Sequence, residues 1–476
     1  MDVEDQTALR APDPPQAHPA VPPVRDEDEN VNPAFVETLA GAVEAGDGTR
    51  VRALTADLHE ADFGDVLEAL EPDLRPRLIE LLGRDFDFTA LTEVDETVRE
   101  EILDELGAST VAEGVRDLES DDAVTILESM DEEDQAEVLE KLPATERVAL
   151  QRSLLYPEDS AGRLMQDEFI AVPPFWTVGQ TIDHMRETPD LPETFYEIFV
   201  IDPGARLLGS VPLDKLLRTK RPVPVSEIMT DDPDRVEATE PQEEVARTFQ
   251  RYNLVSAAVV DEGNRLVGVL MIDDIVDVIE EEADADIKAL GGVRPDEEIS
   301  DDVLYIARSR FPWLFANMLT ALVAATVIRH FDHSIEKMVA LAVLMPIVAS
   351  MGGNAGTQTM TVAVRALATR ELGRANAWRI IRRELTVGVL NGLTFALILG
   401  LVAAAWFGVR DLGIVIGLAM LTVLSSAALG GILIPLALNR LGADPAIASG
   451  PFVTTVTDIV GFFAFLGIAT LWFGLA

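Results

Sequence analysis

The sequence predicts a multidomain chain: an all-α, solenoid-like N domain, an α/β tandem pair, a connecting helix and a five-helix transmembrane domain. Three observations predict it. Apolar residues recur every twelve positions from Leu58 to Leu154. Two segments between about residue 156 and residue 282 repeat one strand–helix–strand–turn–strand–helix order. From Ile306 onward five long apolar stretches follow one another. The expected boundaries are 1–35 for an acidic, Pro-rich disordered tail, 36–155 for the helical domain, 156–222 and 223–282 for the tandem pair, 283–308 for the connecting helix and 309–476 for the membrane domain.

The tail Met1–Glu29 has neither a basic n-region nor an apolar h-region, so it does not read as a signal peptide. Its prolines and acids (Pro12, Pro14, Pro15, Pro19, Pro22, Pro23) predict disorder. The helical domain rests on Leu58, Leu70, Leu82, Val94, Leu106, Leu118, Met130, Leu142 and Leu154. Each twelve-residue unit fits one short helix and a turn, with acidic or Ser/Thr residues near the helix starts, as at Ser120–Ala123 and Ala144–Arg147. Such helices cannot bury an apolar face singly, so they must stack.

The tandem pair rests on FIAV, Val178–Met185 and EIFVIDPGARLLGSVPLDKLL, matched by VEAT, Glu243–Arg251 and SAAVVDEGNRLVGVLMIDDIV. Short turns at Asp202–Ala205 and Asp261–Asn264 join strands rich in Val, Ile and Leu. The pattern resembles a pair of CBS domains, which bind adenine nucleotides or sense ions.

The spans are expected near Phe311–Ile328, Val339–Val364, Val387–Phe407, Leu412–Leu438 and Pro451–Leu475, each long enough for a bilayer core of about 30 Å. Arg308 and Arg310 precede the first. Arg365, Arg370, Arg374, Arg379, Arg382 and Arg383 follow the second, and Arg440 lies between the fourth and fifth. The positive-inside rule then places the N-terminal domains in the cytoplasm of a plasma membrane and Ala476 outside.

Charge separates the halves. The chain carries 37 Lys+Arg and 82 Asp+Glu. From Ile306 the counts are 12 and 7, leaving 25 and 75 before it, a balance of −50. Such a surface repels phosphate, which excludes nucleic acid as a partner, and attracts cations. There is no cysteine, so disulfides and thiolate metal sites are excluded. Five of the 37 basic residues are Lys, a bias expected of a high-salt cytoplasm or a GC-rich genome.

Asp458 stands in an otherwise uncharged apolar stretch. A carboxylate at bilayer depth costs roughly 2.5–3.5 kcal/mol on insertion scales, and such residues mark ion or proton paths. In the second span, SMGGNAGTQTMT places Asn354, Thr357, Gln358 and Thr361 at three- and four-residue spacing, on one helical stripe. Gly352, Gly353 and Gly356 let helices approach or let the backbone depart from helix. The fifth span adds Thr454, Thr455 and Thr457, and Pro435 and Pro451 can interrupt helices. Without His or Cys in the spans, these oxygens suit a hard cation, and Mg²⁺ would pass partly hydrated.

GGNAGTQTMTVAVRALATREL and DPAIASGPFVTTVTDIVGF resemble the signature segments of the MgtE family of magnesium channels, and the resemblance extends over nearly all of the chain after residue 50. It implies a homodimer in membrane lipid with one pore at the dimer axis, Asp458 as the pore-lining aspartate and Thr361 as a pore threonine. Thr357 and Gly450 stand where the family places Asn.

The run Asp273–Asp286 has eight carboxylates in fourteen residues. Asp273, Asp277, Glu280 and Asp284 would share one helical face, where like charges repel until a divalent cation relieves them. The resemblance implies regulatory Mg²⁺ ligands at Asp274, Asp277, Glu282 and Asp286, at Glu243 and at Asp121. Pro241, Asn253, Thr125 and Ala285 stand where the family has acids, and Asp284 beside Ala285 can substitute. The nucleotide signature G-x-x-[ST]-x-x-D reads Gly209, Pro212, Lys215 in the first CBS domain and Gly268, Met271, Asp274 in the second, so ATP rests on one retained acid.

The sequence therefore predicts a Mg²⁺-gated Mg²⁺ channel and no enzyme, since neither half holds a catalytic constellation or a Gly-rich phosphate loop. The alternatives are a transporter of Mn²⁺ or Co²⁺ and a CBS-containing membrane receptor without flux.

Overall fold

A computed structural model describes residues 21–189, 191–192, 194–373 and 375–475. The first twenty residues of the expected tail, Arg374 and Ala476 lie outside them. The chain divides into two compact units, Met1–Ile279 and Glu280–Ala476.

In the first unit the α-helices Pro33–Glu44, Gly48–Thr55, Glu60–Ala69, Arg75–Leu82, Glu96–Glu105, Ala108–Val115, Ser120–Glu128, Glu132–Lys141 and Ala144–Ser153 form the N domain. The twelve-residue positions sit at the ends of these helices: Leu70, Leu106, Leu142 and Leu154 are C-caps, and Leu82 closes its helix. All nine belong to one apolar cluster. Two details differ from expectation. Between Leu82 and Val94 the unit folds as two 3-10 turns, Gly83–Asp85 and Phe88–Leu91, because Gly83 (φ +58°) stops the preceding helix and Asp87 caps the second turn at Thr89 N (3.0 Å). The tail expected to be disordered to residue 35 is anchored from Val24: Val24 and Val31 pack on the core, and Arg25 pairs with Asp62 (2.7 Å) and with Asp65.

The tandem pair forms two three-stranded sheets of one design. In the first, β1 (Ala171–Val172) runs parallel to β2 (Glu197–Ile201), which pairs antiparallel with β3 (Leu207–Pro212); β4 (Arg235–Glu237), β5 (Ser256–Val260) and β6 (Leu266–Met271) repeat this order. Both hairpins bulge at the same place, after Val200 and after Val259. Each turn is closed by an aspartate accepting two backbone N–H groups, Asp202 from Gly204 and Arg206 (2.7 and 2.9 Å) and Asp261 from Gly263 and Arg265 (2.8 and 2.9 Å). The two turns bond each other, Leu207 N to Asn264 O (3.0 Å) and Leu266 N to Ala205 O (2.9 Å), over a shared core that includes Phe199, Leu207, Val260 and Leu266. Gly209 and Gly268 admit the segments that cross each third strand: a Cβ would lie 2.6 Å from Thr230 O at the one and 2.7 Å from Gln166 O at the other.

The second unit holds five helices long and apolar enough to cross a membrane: Val303–His330, Val339–Ala368, Ala377–Phe407, Arg410–Arg440 and Pro445–Phe473. The fourth is central, packed against the second, third and fifth. Pro435 and Pro451 lie inside continuous helices and do not break them, and His330 falls at the end of the first.

The expected connecting helix at 283–308 is a correction. One helix, Ile272–Gly291, continues from the second CBS domain through the whole acidic run and stops at Gly292 (φ +73°), and the first span starts at Val303. No Gly or Pro interrupts residues 272–290, so nothing in the chain ends the helix earlier. Ala289 packs with Met360, Val364, Ala446 and Val453, and the following loop is tied by Glu297, which accepts from Ser309 Oγ (2.5 Å) and Arg310 Nε (2.7 Å).

Candidate ion path and cation-sensing site

The second, fourth and fifth spans are held together by missing side chains. A Cβ on Gly352 would lie 2.6 Å from Val423 Cγ1, one on Gly356 2.8 Å from Val453 Cγ1 and 3.0 Å from Thr457 Cγ2, and one on Gly431 2.6 Å from Gly356 O. Thr457 is fully buried in this seam, its hydroxyl donating to Thr454 O (2.9 Å). Gly353 faces open space, so it is not part of the seam.

With those glycines turned inward, the polar stripe turns outward. Asn354, Thr357, Gln358 and Thr361 are exposed on the isolated chain, as is Thr454, and Asp458 one turn beyond Thr454 is half-buried. Thr454 and Thr455 donate to the carbonyls of Gly450 (3.0 Å) and Pro451 (2.5 Å), which leaves their oxygens free to accept. Among the described residues no ion pair or hydrogen bond joins Asp458 to the stripe or to any other side chain. The arrangement is a face of uncharged oxygens with one carboxylate, on helices that are otherwise apolar. Hydrocarbon cannot solvate such a face, so it requires water, an ion or a protein partner.

In the first unit, the helix Ser120–Glu128 docks on the segment after the N domain. Ser120 Oγ donates to Glu168 (2.7 Å) and accepts from Asp167 N (2.7 Å); Gln166 Nε2 donates to Glu119 (2.7 Å) and Asp121 (3.1 Å); Arg163 pairs with Glu128 (2.6 Å). Ser120 is thus a docking residue and not an N-cap, the cap position being Glu119. This docking brings Asp121 against Asp274 of the helix Ile272–Gly291. Asp121 is 7% exposed, and Asp121 Oδ1 and Asp274 Oδ2 are buried without a hydrogen-bond partner. Burial, then repulsion from Asp121 and Asp273, drives the Asp274 carboxyl up; burial drives Asp121 up; burial and the Asp121 charge push Asp122 up to about 7. Glu93 is raised by burial and by Asp277. Buried, unsatisfied carboxylate oxygens are donors of the kind a hard divalent cation takes, and here two of them, Asp121 Oδ1 and Asp274 Oδ2, lie in one cluster; among the described residues no three acidic side chains are gathered closely enough to hold an ion by themselves.

The other sequence-predicted ligands are not gathered there. Glu243 pairs with Arg247 one turn on (2.6 Å). Asp273, Asp277, Glu280 and Asp284 share an exposed face of their helix, Asp286 is exposed, and Glu282 is half-buried. Asn253 occupies a left-handed C-cap (φ +52°) and Thr125 Oγ1 donates to Asp121 O (3.2 Å), which gives both non-acidic replacements structural roles. Sequence reasoning missed Asp122, Glu93 and Gln166. Asp122 was visible only as a neighbour of Asp121; the role of Gln166 depends on docking that no local pattern reports.

Comparisons with known proteins agree with this division. The family model for the MgtE divalent cation transporter matches residues 345–468, that for the MgtE intracellular N domain 58–159, and that for the CBS domain 225–281. A curated "Magnesium transporter MgtE" of Bacillus subtilis is 30% identical over 88% of this chain and 93% of its own length. Its counterpart in Thermus thermophilus is 33% identical over 91% of this chain and 97% of its own. The crystal structure of the soluble part of a magnesium transporter is 25% identical over 52% of this chain and 98% of that chain, with a TM-score of 0.47. The chain belongs to the MgtE family of magnesium transporters.

Proposed function

We propose that this transporter is a homodimeric, Mg²⁺-gated channel that admits Mg²⁺ down its electrochemical gradient. The observation that carries the reading is the outward polar face of the second and fifth spans with Asp458 on it. A second copy of the chain set against that face would enclose it and place two Asp458 carboxylates about one axis. The carboxylates would hold the cation through its retained waters, while Asn354, Thr357, Gln358, Thr361 and Thr454 accept hydrogen bonds from those waters. An inside-negative potential of 100 mV supplies about 2.3 kcal/mol per charge, so roughly 4.6 kcal/mol for Mg²⁺, with no need of ATP hydrolysis.

Gating follows from the acids. At low cytosolic Mg²⁺ the crowded Asp121, Asp122 and Asp274 are relieved only by the protons they hold, and each carboxyl that ionises repels the others. At high Mg²⁺ they are bridged, the N domain is held on the helix Ile272–Gly291, and the closed state gains population. The reading puts the N-terminal domains on the cytoplasmic side of the plasma membrane and the C-terminus outside; the arginine-rich loops support this orientation. It routes nothing through a nucleotide: Asp274, the acid kept from the nucleotide signature, faces Asp121.

The test is flux. In proteoliposomes under an inside-negative potential, Asp458→Asn should cut Mg²⁺ entry at least about tenfold, the loss expected when the one intramembrane charge of an ion path is removed. Undiminished entry would falsify the pore role. Equal-concentration competition by Mn²⁺ and Co²⁺ in the same assay separates a magnesium path from a general divalent one.

A further inference from the structure

At the start of the third span, Trp378, Arg379, Arg382, Arg383 and Thr386 line an open cavity of about 390 Å³. All five are exposed. Arg383 pairs with Glu384 beside it (3.1 Å), while Arg379 and Arg382 have no ion-pair partner among the described residues. In a chain of net charge −45, adjacent uncovered arginines are a local exception. The same helical stripe runs on from Arg379, Arg382 and Thr386 to Leu390, Leu393 and Leu397, all exposed and apolar.

We propose that this groove binds an anionic phospholipid, its headgroup phosphate held by Arg379, Arg382 and Arg383 and its acyl chains lying along Leu390, Leu393 and Leu397. The arginine forks match phosphate oxygens two at a time. Trp378 stands where an amphipathic ring settles, at headgroup level. Basic pockets beside spans on the cytoplasmic side bind anionic headgroups. The apolar run directly below the arginines selects a lipid over a soluble phosphate, which would leave that run without a ligand. Only the choice of leaflet rests on the orientation proposed above; binding itself does not.

The experiment is native mass spectrometry of the full chain in a neutral detergent, which depends on neither orientation nor transport. Short-chain phosphatidylglycerol should be retained over phosphatidylcholine. At roughly fivefold per arginine, Arg379→Gln/Arg382→Gln/Arg383→Gln should lose about a hundredfold in that retention. The triple Lys variant keeps the charges without the forks, guards against misfolding, and should lose less. Equal retention of the two lipids, or unchanged retention by the Gln variant, would overturn the proposal. So would displacement of the lipid by glycerol phosphate, which marks a soluble-phosphate site. A shift in oligomeric state of the Gln variant with lipid still bound would also overturn it, because the face would then be an interface between copies.

Discussion

Gly431 and Gly353 look alike in the sequence and differ entirely in the structure. A methyl group on Gly431 would meet backbone, Gly356 O at 2.6 Å and Met360 N at 3.0 Å, and backbone in a membrane helix has little room to yield. On Gly353 it would meet nothing within 4 Å. Gly431→Ala should therefore destabilise the membrane domain by about 1–3 kcal/mol, the usual cost of overpacking, while Gly353→Ala stays within about 0.5 kcal/mol. Thermal unfolding of both variants in one detergent checks this, and equal melting temperatures would refute the seam. The contrast also shows what was legible residue by residue. Asp458 and the stripe at 354, 357, 358 and 361 could be read because polar groups in an apolar span are costly and their spacing is local. Which glycine meets which helix depends on the rotation of each span about its axis, and a small-residue motif does not encode that. Asp122 was hidden for a related reason: its carboxyl acquires meaning only where the fold sets Asp121 and Glu93 beside it.

Among the elements, the helix Ile272–Gly291 carries the most. Its acids were countable in the sequence, and so were the strands and turns of the pair before it, since alternation and turn residues are short-range signals. Its extent is not legible from composition, which changes near residue 283 without stopping the helix; Gly292 stops it. Asp274 and Ala289 belong to this one helix. Asp274 lies at the acid cluster and Ala289 lies among Met360, Val364, Ala446 and Val453 of the second and fifth spans. Neutralising Asp274, Asp277 and Glu282 together (to Asn, Asn and Gln) should abolish the cation bridge while leaving the spans intact. On the gating proposed above, the expected result is Mg²⁺ current in patch recordings that persists at internal Mg²⁺ concentrations at which the parent protein passes none. Closure at the same internal Mg²⁺ as the parent would remove the sensing role from this helix.

For the molecule as a whole, the balance of −50 over the first 305 residues means that folding gathers like charges that the unfolded chain keeps apart. The gathering is sharpest at Asp121, Asp122 and Asp274, whose carboxyls are all driven upward by burial first, Asp122 also by Asp121 and Asp274 also by Asp121 and Asp122. A carboxyl raised in the folded state binds its proton more tightly there than in the unfolded chain. Its contribution is therefore fully present below the ordinary carboxylate range, near pH 4, and is lost as pH climbs through the raised values, about 7 for Asp122. Without divalent cation, the docking of helix Ser120–Glu128 should accordingly loosen as pH climbs through about 7, where Asp122 loses its proton, and go on loosening above it as Asp274 does. Mg²⁺ takes the place of the protons, so saturating Mg²⁺ should flatten that dependence and protect most at the alkaline end. Hydrogen–deuterium exchange of the full chain, corrected for the intrinsic rate at each pH, reads both arms at residues 120–128. Protection that rises with pH in the presence of chelator would reverse the sign and refute the buried-acid account. A pH profile that Mg²⁺ leaves unchanged would mean that protons and the cation do not compete for these three carboxylates, and the cation-sensing site would have to lie elsewhere on the acidic helix.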